Sequence, residues 1–84
     1  MSPATNDAAN ILSGVIEILV KNGNLDGLTP DQDYYDAGVT SVMALPILLD
    51  LEDCYQVSIP DDLFIAARSP RAVAEIILGL RLAV

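Results

Sequence analysis

Apolar residues recur at Ile11, Val15, Ile18 and Leu19 with the spacing of one helix face, and Leu12 and Ile16 widen the stripe. The pattern predicts a first helix over about 6–22, capped by Thr5, Asn6 or Asp7 and stopped at Gly23. Residues 23–40 carry no such rhythm; Asn24, Asp26, Gly27, Pro30, Asp31 and Gly38 are turn and breaker types, so they read as one long loop. Leu25, Leu28, Tyr34 and Tyr35 are the residues expected to pin that loop to the helices. Helical spacing resumes over about 41–55, with Thr40 or Ser41 as cap, Leu45, Leu48, Leu49 and Tyr55 as the core stripe, and Asp50, Glu52 and Asp53 toward solvent. Pro46 interrupts it, since an interior proline removes a hydrogen bond and crowds the preceding turn, at a cost of about 3 kcal/mol.

After this helix, Val57 and Ile59 alternate in a short extended link that ends at Pro60. Asp61 or Asp62 then caps a brief helix over about 61–67. Ser69-Pro70 opens a last helix over about 70–82, in which Val73, Ile76, Ile77 and Leu80 form the buried stripe. The expected fold is therefore all-α: one domain over 1–84, a small bundle of three main helices plus one short helix.

Charge narrows the functional classes. Of the formal net charge of −8, residues 31–62 hold eight acids and no base, while residues 63–84 hold three arginines and one glutamate. Such a field repels phosphate backbones, which argues against nucleic acid as a partner, and it attracts a basic patch on another protein. The longest uncharged run, Ala37–Leu49, has 13 residues, too few to cross a bilayer. No basic, apolar leader opens the chain, and its one cysteine, Cys54, has no partner for a disulfide. A monomeric, cytoplasmic protein is expected, with Cys54 as a packing residue.

Catalytic constellations are scarce. With no histidine, neither a Ser-His-Asp triad nor a histidine metal site can be assembled. Counted from Asp31, a calcium loop fails at three required places: Tyr35, Asp36 and Val42 stand at positions 5, 6 and 12. An enzyme acting alone is not expected. What remains is Ser41, delivered to a helix start by the Asp36-Ala37-Gly38 turn. A serine there reads equally as a helix cap or as a modification site, because backbone N–H groups and the helix dipole favour an anion at that place.

Tyr34-Tyr35-Asp36-Ala37-Gly38-Val39-Thr40-Ser41-Val42 resembles the 4′-phosphopantetheine attachment motif of acyl and peptidyl carrier proteins. The likeness continues through Leu51-Glu52-Asp53-Cys54-Tyr55-Gln56-Val57-Ser58-Ile59-Pro60-Asp61, with the spacing from Ser41 to Pro60 kept without gaps. The resemblance implies a carrier without catalytic residues of its own. A phosphopantetheinyl transferase, using its own magnesium, would attach the arm from coenzyme A to Ser41. The arm's thiol would hold an acyl or aminoacyl thioester for a downstream acyltransferase. The other class considered is an acidic helical interaction module without a prosthetic group.

The departures from the pattern concern the partner surface. Val42 replaces the usual leucine, and Met43 and Pro46 stand where bacterial fatty-acid carriers place acids, while Glu52, Asp53 and Asp61 are retained. Val39, Thr40, Val42, Met43, Pro46 and Leu49, rimmed by those acids, are the expected docking face, with an exposed Met43 at its centre. A further resemblance is to stand-alone carriers served by amino acid:carrier protein ligases related to seryl-tRNA synthetases, which implies a small amino acid as cargo. Carriers for polyketide, nonribosomal peptide or specialised lipid synthesis are the alternative. A chain with its own start and no linker favours a discrete protein over an excised module.

Overall fold

The computed structural model describes residues 3–82, with side chains from Ala8 to Leu82. Among these residues lie five helices and no strand: α1 Pro3–Gly23, α2 Tyr34–Ala37, α3 Ser41–Tyr55, α4 Asp61–Ala66 and α5 Pro70–Leu82. The all-α expectation holds, with two short helices rather than one. α1 packs chiefly against α5 and α3.

The first helix begins earlier than its polar residues suggest. Helical backbone starts at Pro3, so Thr5, Asn6 and Asp7 lie inside α1 instead of capping it. Its stop also differs by one residue: Gly23 is the last helical residue, and Asn24 takes the left-handed conformation with φ 53°. Asparagine tolerates that region, and the Leu25 amide then reaches back to the Val20 carbonyl at 3.0 Å. Ile11, Val15 and Leu19 are fully buried, as their spacing requires. Gly14 allows α3 to come close, because a Cβ there would collide with the Tyr55 hydroxyl, which donates to the Ile11 carbonyl at 3.3 Å.

α3 rotates its apolar surface differently from the predicted stripe. Ile47, Leu48 and Leu51 enter the core, with Met43, Ala44 and Tyr55 half-buried against it, while Leu45 and Leu49 are 62% and 55% exposed. The cause is that Val42–Leu49 is apolar on every side, so periodicity does not say which third faces inward. Pro46 sits on the exposed side, and the helix runs unbroken through it. Asp50 and Glu52, expected in solvent, are both half-buried and bonded. Asp50 accepts from the Asn22 amide group at 2.9 Å, and Glu52 accepts from the Ile59 backbone N–H at 2.8 Å. Cys54 is exposed and does not pack.

α4 ends at Ala66, one residue before the expected limit, and takes its cap position at Pro60 without a side-chain bond; Asp61 and Asp62 occupy its first turn. α5 matches its predicted limits, with the Ser69 hydroxyl accepting from the Ala72 N–H at 3.2 Å. Val73 and Ile77 are fully buried, as expected, whereas Ile76 and Leu80 flank them half-buried.

The expected long loop is neither featureless nor loose. Asp33 caps α2, its Oδ1 accepting from the Tyr35 and Asp36 amides at 2.9 and 3.2 Å. Tyr34 is wholly buried; its hydroxyl donates to the Ala67 carbonyl at 2.6 Å, and its amide donates to the Arg68 carbonyl at 2.9 Å. Burial pushes the Tyr34 phenol far above its ordinary value, which keeps it a neutral donor. Tyr34→Phe would orphan the Ala67 carbonyl in the core. The expected loss is about 1–3 kcal/mol, read from denaturant unfolding, with the helical circular dichroism preserved.

Candidate functional site

The segment before α3 is built to hold its first residue in place. α2 is capped by Gly38, whose φ of 129° only glycine adopts without strain, and whose N–H meets the Tyr34 and Tyr35 carbonyls. Val39 then plugs the core with 4% exposure, and its amide bonds the Tyr34 carbonyl at 3.0 Å. Thr40 is the extended N-cap of α3; its backbone carbonyl, not its hydroxyl, meets the Met43 amide at 3.0 Å. Ser41 follows as the first helical residue, exposed to solvent. Anchored on both sides, it has little freedom of position.

Two shallow grooves meet at Ser41. One, of about 200 Å³, lies between Ser41, Ala44 and Leu45 of α3 and Asp61, Phe64 and Ile65 of α4. The other, of about 410 Å³, passes Ser41, Ala44 and Ile65 toward Tyr35 and Arg68. Beside them runs an apolar ridge made by Val42, Leu45 and Leu49, with Leu63 and Ile65 exposed on α4. The start of α3 adds the partial positive charge of its unpaired amides.

Charge pairs fasten this region to the α4–α5 junction. Arg68 Nε donates to Asp33 Oδ2 at 2.7 Å, and the guanidinium lies 5.1 Å over the Tyr35 ring. Arg71 donates to both Asp31 oxygens, at 2.7 and 3.3 Å, and its backbone N–H meets the Pro30 carbonyl at 2.9 Å. The hydrogen bond from Arg71 holds the Asp31 carboxyl below its ordinary range, and that from Arg68 does the same for Asp33. These pairings commit the two acids that suggested a calcium loop. Among the described residues no cluster of three or more metal-ligating side chains occurs.

The expected docking face is partly redrawn. Thr40, Val42, Pro46, Leu49, Asp53 and Asp61 are exposed. Val39 is core, however, and Met43 is half-buried against the core rather than an exposed centre. Glu52 is tied to the Ile59 amide, so it braces the link after α3. Periodicity placed Leu45 in the core, but it is exposed, and Leu63, Ile65 and Arg68 were not picked out as site residues. For α4 a signal existed: Leu63-Phe64-Ile65 is three apolar residues in a row on one turn of helix, and only Phe64 can face inward.

A family profile described as "phosphopantetheine attachment site" matches residues 9–77. The chain belongs to this family and is a carrier protein bearing a 4′-phosphopantetheine arm. No curated protein and no solved structure matches it. Proteins of this kind work with phosphopantetheinyl transferases and acyl-loading enzymes. An exposed hydroxyl at the head of a 15-residue helix, open to grooves on two sides, fits such a group. No helix among the described residues is long and apolar enough to cross a membrane.

The Asp33–Arg68 pair gives a pH dependence of defined sign. Asp33 has its native pKa lowered, against about 3.9 when unfolded. Its contribution is therefore present above about pH 4 and is lost as pH falls through the depressed native value. Asp33→Asn keeps a capping oxygen and removes the charge. Its Tm should lie below wild type at neutral pH, with the gap closing at pH below about 3 in thermal melts. A gap that persists unchanged into acid would assign the loss to the cap.

Proposed function

We propose that Ser41 is the attachment point of the arm and that the chain carries a small aminoacyl group delivered by an ATP-dependent amino acid:carrier protein ligase. The observation that supports Ser41 is its place: first residue of α3, exposed, and lining both grooves. The other described serines are otherwise placed. Ser69 spends its hydroxyl capping α5, Ser13 lies on the outer face of α1, and Ser58 stands in the link before α4.

In attachment, the Ser41 Oγ attacks the β-phosphorus of coenzyme A. The bond to the 3′,5′-ADP portion breaks, and the hydroxyl proton passes to a base on the transferase. The prosthetic group then supplies a thiol that holds cargo as a thioester. The chain's own task is presentation: α3 and the pinned segment fix the root of the tether, and docking makes each later encounter effectively intramolecular.

Partner choice is assigned to the ridge of Val42, Leu45 and Leu49, with Pro46 among them and Asp53 and Asp61 at its rim. Exposed apolar side chains grouped beside the site favour a partner with an apolar docking surface, and the acids steer a basic one toward it. The aminoacyl assignment is supported by the same departure from an acidic early α3, at Met43 and Pro46.

Incubation with a transferase and coenzyme A should raise the intact mass by one phosphopantetheinyl group, and Ser41→Ala should abolish the gain. A gain that survives Ser41→Ala would overturn the assignment. Loading the modified protein with amino and fatty acids in the presence of candidate ligases then tests the cargo; loading by fatty acids alone would favour the lipid alternative.

Val42→Asp and Leu45→Asp alter side chains already in water, so the fold should be retained within about 0.5 kcal/mol. Both should weaken docking to the loading enzyme at least tenfold, measured by titration calorimetry. Docking indifferent to these changes but strongly weakened by salt would move recognition to the acidic rim.

A further inference from the structure

The surroundings of Ser41 contain one cation whose hydrogen-bonding capacity is not used up. Lys21 pairs with Asp50 at 3.7 Å, Arg71 is engaged through two nitrogens by Asp31, and Arg81 lies in the last turn of α5. Arg68 differs. It lines the groove that passes Ser41, and it bonds Asp33 through Nε alone. Among the described residues no acceptor meets its two terminal nitrogens. Asp33 spends its other carboxylate oxygen on two α2 amides and gives only Oδ2 to Arg68.

From this geometry we propose that Arg68 is the positioning residue for the phosphodiester of the arm. The inference rests on Ser41 being the attachment point. A phosphodiester adds a negative charge to a chain of net charge −8, in a stretch of residues 31–62 that contains no base. The α3 N-terminus offers partial positive charge only. Arg68, though paired with Asp33 through Nε, presents its terminal nitrogens as a charged fork that matches two phosphate oxygens. Its terminal N–H groups bond the two non-ester oxygens while Nε stays on Asp33, and the Tyr35 ring beneath holds the guanidinium plane. The arm therefore leaves Ser41 over the Tyr35–Arg68 groove, on the side away from Asp61.

The direct test needs no mutation. In wild-type protein, arginine side-chain N–H signals are followed by NMR before and after conversion to the phosphopantetheinylated form. The terminal N–H signals of Arg68 should shift and exchange more slowly with water, those of Arg71 should not, and the 31P resonance should move in Arg68→Gln but not in Arg71→Gln. Arg71→Gln is the control because it breaks the neighbouring clasp without touching the groove, so it reports a merely structural effect. Arg68→Lys should keep part of the 31P shift. Unchanged Arg68 signals in modified wild-type protein, or a 31P resonance indifferent to Arg68→Gln, would overturn the proposal. Absence of a mass gain, or attachment elsewhere, would instead overturn the Ser41 assignment and would be seen first by mass spectrometry.

Discussion

The buried Tyr34 is the contact on which the geometry of this carrier depends. One residue joins the segment before α3 to the α4–α5 junction, its hydroxyl donating to the Ala67 carbonyl and its backbone N–H to the Arg68 carbonyl. Burial of the ring contributes hydrophobic free energy of about 1.5–3 kcal/mol, and the bonds give it direction. Without this anchor the segment between α1 and α3 would be a long tether, with an entropy cost for ordering each residue. With it, Gly38 and Val39 turn the chain at a set point, and α3 starts where the grooves on either side converge.

The two arginine–aspartate pairs work on the same join from outside. They are exposed, so each adds little to stability in salt. Their effect is on register: the pairs hold Asp31 and Asp33 opposite Arg71 and Arg68, and the capping oxygen of Asp33 can then order α2. The acidic character of residues 31–62 is thus not uniform. Two of its acids are structural, Asp50 and Glu52 brace neighbouring elements, and Asp36, Asp53, Asp61 and Asp62 remain in solvent.

Much of this was readable from residues alone, for identifiable reasons. α1 and α5 are amphipathic, so Ile11, Val15, Leu19, Val73 and Ile77 announced their faces. The breaker chemistry at Gly38 announced a helix start at Thr40 or Ser41, and Ser41 is indeed the first residue of α3. α3 was harder: its first half is apolar all round, and the choice of Ile47 over Leu45 is made by the core packed against α3, which periodicity in one helix cannot see. The same holds for Met43, Val39 and Glu52, whose surroundings are tertiary. α2 was hidden because four residues are too short for a periodic signal, and Arg68 because its role depends on a groove formed by distant segments.

The contact between Gly14 and Tyr55 carries a consequence for how such a chain can change. The absence of a side chain in α1 is matched to the length of an aromatic one in α3, and each position constrains the other: a methyl at 14 makes the phenol shift, and a shorter residue at 55 gives up the bond to the Ile11 carbonyl. Changes at the two sites are therefore coupled. The helix that begins at Ser41 is in this way tied to α1 along its inner side, while Val42, Leu45 and Leu49 face solvent. Selection can then revise the ridge while the inner seam stays constant.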